Sequence, residues 1–137
     1  MWIHRWGQVI FAPLENNNQL NRVTLKIFED FRDVNRSKNS KLVLLYLPTE
    51  VDYRDRSLDE WREYLADESK KRGIPFIDLI KEFRLLDERE VRKMFLSGKE
   101  VSFRGAAGHY SNEGNRYVAG TLYEKLLSIP GIGERLH

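Results

Sequence analysis

The spacing of hydrophobic positions changes several times along the chain, and each change predicts an element. Val9 to Ala12 is an apolar run of strand length ended by Pro13. Glu15 to Gln19 is polar and rich in asparagine, which is loop chemistry. From Leu20 the period turns helical: Leu20, Val23, Leu25, Ile27, Phe28, Phe31 and Val34 alternate with charged positions, up to a polar break from Asn35 to Ser40. Leu42 to Leu47 is an unbroken apolar run, the pattern of a strand covered on both faces in a parallel sheet, and Pro48 ends it. Thr49 to Arg56 reads as a loop at the carboxyl edge of that strand. Ser57, with Glu60 three residues on, predicts the N-cap of a helix that turns Leu58, Trp61, Tyr64 and Leu65 inward. Lys70-Lys71-Arg72-Gly73 is its expected stop.

Ile74 to Asp78 predicts a second strand, and Leu79–Leu86 and Glu88–Leu96 are amphipathic helical pieces. Val101 to Phe103 reads as briefly extended, and Gly105 to Tyr110 as a loop of small residues. Ser111 or Asn112 caps a last helix through Tyr117, Val118, Leu122, Leu126 and Leu127, closed by Pro130. The alternation of strands and helices predicts an α/β fold with a parallel sheet. The chain reads as a single domain, 1–137, whose first 19 residues are atypical and whose sheet has only about two or three strands. So few strands lead one to expect part of a larger fold.

Composition narrows the function classes. The 137 residues carry 23 Lys+Arg against 21 Asp+Glu, a net charge of +2, which argues against nucleic acid as a partner. There is no cysteine, so thiolate catalysis, disulfides and Cys-ligated metals are excluded. The three histidines, His4, His109 and His137, lie far apart, and neither a metal nor any cofactor is expected. No apolar stretch is long enough to span a membrane, and Met1 to Trp6 does not read as a signal peptide, so the cytoplasm is the default location.

In open α/β sheets, ligands bind beyond the carboxyl ends of the strands. The most informative segment there is Gly108 to Ala119, which places His109 just ahead of a helix N-terminus. A neutral imidazole at that point can act as a general base. The plainer reading is a loop histidine bonded to backbone. Asp78 follows a strand and either faces the ligand edge or caps the next helix.

His109 followed by Asn112-Glu113-Gly114-Asn115 and Val118-Ala119 resembles the last sequence block of SGNH/GDSL hydrolases. Leu42 to Pro48, the helix ending at Gly73, and Ile74-Pro75-Phe76-Ile77-Asp78-Leu79 resemble earlier blocks in the same order, so the match spans about Leu20 to Leu127. The resemblance implies a three-layer α/β/α, flavodoxin-like fold and serine esterase or acyl-transfer chemistry on a small ester. His109 would be the general base, with Asn112 and Asn17 as ligand-binding positions.

Three departures follow. The Gly-Asp-Ser nucleophile turn is absent, and no serine follows a strand and opens a helix. The positions of the family's acid are Ala106 and Ala107. The oxyanion block is missing, and although Asn16 to Asn18 stand near its place, a plain Asn-rich turn explains them better. The expectation is an SGNH-hydrolase-like domain of esterase ancestry, truncated or degenerate and inactive as this chain alone. The alternative is a non-catalytic interaction module that forms a homodimer or pairs with a complementary N-terminal half, because an incomplete sheet leaves an open edge.

Further features take plainer readings. Ile129 to Arg135 looks like the turn of a helix-hairpin-helix but has too few residues after Gly133 for a second helix, so a helix stop is preferred. Asp87 to Lys93 reads as a solvated face; Trp2, Trp6 and Tyr110 suggest an exposed aromatic patch, and Trp61 a core residue.

Overall fold

The computed structural model describes residues 18–99 and 101–135. The expected strand at Val9 to Ala12 and the candidate Asn17 lie outside the described residues. The chain forms two compact units, one ending at Ser40 and one starting at Lys41.

The first unit contains α1 (Asn18–Ser37), an amphipathic helix. Asn18 and Gln19, predicted as loop, already belong to it. The helix stops where Lys38, Asn39 and Ser40 turn their N–H groups back onto carbonyls of its last turn, with Asn39 at φ 51°.

The second unit is α/β. It runs β1 (Leu44–Tyr46), α2 (Glu50–Arg54), α3 (Asp59–Lys71), β2 (Phe76–Asp78), α4 (Ile80–Phe83), α5 (Glu88–Lys93) and α6 (Asn112–Leu127), with 3-10 turns at Arg104–Ala106 and Gly133–Arg135. The strands pair in parallel, Leu44 with Phe76, Leu45 with Ile77 and Tyr46 with Asp78. Both strands are shorter than the apolar runs that announce them, and Val101 to Phe103 forms no strand. The reading of β1 as covered on both faces is corrected: Leu45 and Leu47 are 36% and 44% exposed.

Two boundaries move for identifiable reasons. Thr49 to Arg56 is not a loop but contains α2, started by a capping box in which the Thr49 hydroxyl accepts from the Asp52 N–H and the Asp52 carboxylate accepts from the Thr49 N–H. Ser57 does not cap α3, because its N–H and hydroxyl donate instead to the Asp55 carboxylate; Leu58 occupies the cap position with no side-chain bond. The other end of α3 is as expected. Gly73 adopts φ +65°, which a residue with a side chain rarely tolerates, and lets Gly73 and Ile74 donate to Lys70 and Ser69 carbonyls.

Ile77, Leu79, Ile80, Phe83, Val91, Met94, Phe95 and Val118 form one core, with Tyr110, Tyr117, Leu122 and Leu126 packed against it. Phe83 is its centre, 5.4 to 6.1 Å from the rings of Tyr117, Tyr110 and Phe95. Trp61 lies outside this core, half-buried and stacked on Tyr64.

Candidate functional site

The carboxyl ends of β1 and β2 meet in a buried polar cluster centred on Arg62, which sequence reasoning passed over. Arg62 is 4% exposed, and Asp52, which faces it, is 2% exposed. The guanidinium donates through Nε to Asp78 Oδ2 at 3.0 Å and through Nη2 to Asp59 Oδ1, and its Nη1 lies 3.8 Å from Asp52 Oδ1. Its carbon sits 5.4 Å from the centre of the Tyr46 ring, a cation–π distance. Arg84 grips the same Asp59 with both terminal nitrogens, at 2.8 and 2.9 Å, and donates to the Asp52 and Asp55 carbonyls at 2.9 and 3.4 Å. Tyr46 donates to Asp52 Oδ1 at 3.1 Å, and Tyr110 donates to the Pro48 carbonyl.

The sequence carries two signals for this cluster. Arg62 stands with Leu58, Leu65 and Ser69 on one helical stripe, so it is a charge on the inward face. Thr49-x-x-Asp52 is itself a capping-box pattern. Asp78 is not the cap residue of α4, a position that Leu79 takes, but its Oδ1 accepts from the Ile80 N–H at the start of that helix while its Oδ2 accepts from Arg62.

Electrostatics follow from burial and pairing. The Arg84 guanidinium, assisted by Arg62, holds the Asp59 carboxyl at about 2, well below the usual carboxylate range. Burial, then the Asp52 charge, pushes the Tyr46 phenol up to about 12. Burial also raises Tyr110 above the ordinary phenol value. Every carboxylate in the cluster is engaged by an arginine, so the arrangement offers no free base. It is a staple that ties the two strand ends to α2, α3 and α4.

His109 sits elsewhere. It is exposed, and its backbone is fixed: the carbonyl accepts from Leu96 N–H at 2.8 Å, and the N–H donates to Ala106 at 3.3 Å. These bonds flank the antiparallel bridge between Phe95 and Tyr110. Among the described residues no hydrogen bond or ion pair orients the imidazole, and Ala106 and Ala107 occupy the preceding turn.

Ser111 and Ser69 do structural work. Ser111 caps α6, accepting from the Gly114 N–H at 3.0 Å and donating to the Lys93 carbonyl. Ser69 is buried and donates to Leu65 at 2.6 Å. Asn112 is exposed in the first turn of α6. Gly114 is required by packing, since a Cβ there would strike the Met94 carbonyl. That close approach fixes the start of α6 against the end of α5.

A half-open cleft of about 600 Å³ lies beside the Arg62 cluster, walled by Asp59, Glu63, Phe76, Lys81 and Lys125. His109 and Ser111 are not part of it. Among the described residues, no group of three or more histidine and carboxylate side chains is placed to hold a metal ion, and no helix is long and apolar enough to cross a membrane. The chain matches no family model, no curated protein and no solved structure.

Proposed function

We propose that the chain is an SGNH/GDSL-hydrolase-like domain of acyl-hydrolase ancestry that does not hydrolyse esters by itself. In this reading the parallel pair β1–β2 and the helices after it are part of a flavodoxin-like three-layer sheet. The observation that carries the proposal is the state of His109. It stands ahead of α6 where the resemblance puts the general base, yet no hydrogen bond or ion pair among the described residues orients its ring. A triad histidine without its acid has an unsupported tautomer and loses orders of magnitude in rate. The serine nearest in sequence, Ser111, spends its hydroxyl on capping α6.

Turnover of a p-nitrophenyl acyl ester by the purified chain is the test. The expected result is a rate equal to that of His109→Ala and near the buffer background. Robust hydrolysis that His109→Ala removes would overturn the proposal.

A second reading is favoured by the exposed Leu45 on β1 and Leu47 just after it, which an apolar run of this kind ordinarily keeps covered. Here the domain is a non-catalytic module whose β1 accepts a further strand from a complementary chain. Association abolished by Leu45→Lys supports this reading, and a stable monomer with no association at all counts against it.

A further inference from the structure

The helix α1 carries an apolar stripe of its own. Val23, Ile27, Phe31 and Val34 are 51%, 45%, 55% and 49% exposed, and their spacing of four, four and three keeps them within about 80° of one another around the helix. Along one flank of the stripe run Arg22, Lys26, Asp30 and Asp33, all exposed, two cations followed by two anions. The other flank offers the neutral Thr24 and Asn35.

We propose that this face of α1 is the interface of a homodimer in which two copies of the helix pack antiparallel about a twofold axis near residue 28. An antiparallel twofold brings like flank against like flank. Arg22 then meets Asp33 of the second copy, and Lys26 meets Asp30 of the second copy, each pair formed twice. The same rotation sets Val23 against Val34 and Ile27 against Phe31 across the axis. A parallel pairing instead lays the charged flank against Thr24 and Asn35 and gives the four charges no counterpart across the interface, leaving only the pairs within each helix, Lys26 with Asp30 and Arg32 with Asp33 at 3.1 Å. The Lys26–Asp30 pair within the helix, at 2.8 Å and more than 60% exposed on both sides, contributes little on its own and is free to be shared. The proposal is independent of the acyl-hydrolase reading, since it uses no residue beyond α1.

The test is sedimentation of the full chain and two charge variants, R22E/K26E and D30K/D33K. The wild type is expected to be a dimer, with Phe31→Lys at least tenfold weaker. Each charge variant alone presents a single-sign flank and is expected to be monomeric, whereas an equimolar mixture forms a heterodimer. A variant whose helix had merely unravelled would not be rescued by mixing. A wild type that stays monomeric at about 100 μM overturns the proposal, as does a dimer that survives in both charge variants alone.

Discussion

The Arg62 cluster and the His109 loop both lie where an α/β fold gathers polar groups, and they could hardly differ more. Around Arg62, three aspartates, two arginines and a tyrosine hold one another, with Arg62 and Asp52 buried and the rest half-buried. Around His109 the backbone is fixed, while the side chain stands in solvent. Holding a charge away from water is costly unless a partner compensates it, so the first arrangement tolerates no missing member. A solvated imidazole makes no such demand. Perturbed ionisation therefore marks a functional candidate only where some group is left free to react. Here the perturbed groups hold each other, and no hydrogen bond or ion pair among the described residues engages the His109 ring.

The contrast can be broken most forcefully at its buried end. Arg62→Ala leaves Asp52, Asp59 and Asp78 facing a void, and urea denaturation should show a loss of about 3–5 kcal/mol. A loss under 1 kcal/mol would show that the cluster is not a staple.

Acid titration probes the same cluster next. The Asp59 pKa falls from 3.8 in the unfolded chain to about 2 in the fold, so its contribution is complete above pH 4 and disappears as pH falls towards 2. Asp59→Asn should flatten the stability profile between those limits, as read by circular dichroism across the range.

At the exposed end the effects shrink. Ser111→Ala removes the cap of α6 and should cost about 1 kcal/mol. His109→Ala should change stability by no more than about 0.5 kcal/mol. An effect as large as that of Arg62→Ala would reverse the comparison.

What could be read from the sequence divides along the same line. The capped start of α6 at Ser111 and the stop of α3 at Gly73 are local matters, decided within four residues, and both stand in the structure. The start of α3 failed on equally local grounds, because Asp55 competes for Ser57. The two short parallel strands are recognisable from their apolar runs, but the exposure of Leu45 depends on what lies beside β1, which no local pattern encodes. Arg62 was legible only as an anomaly, a charge on an inward stripe. Its partners come from β2 and α2 as well as from its own helix, so naming them requires the fold. His109 is conspicuous in sequence because its neighbours are small, and those same alanines, Ala106 and Ala107, have no side-chain group that could orient it.

The bonds from Arg84 to the Asp52 and Asp55 carbonyls have a consequence for the order in which structure forms. At five residues α2 is too short to persist alone. Its last carbonyls are satisfied by a side chain about thirty positions further along, and Tyr53 is anchored to the Leu86 carbonyl at 3.0 Å over a similar span. The capping box can start α2 but cannot sustain it until β2 and α4 have arrived. Its amide protons should therefore exchange with solvent only in the same cooperative opening that releases α4, rather than fraying as a surface turn does.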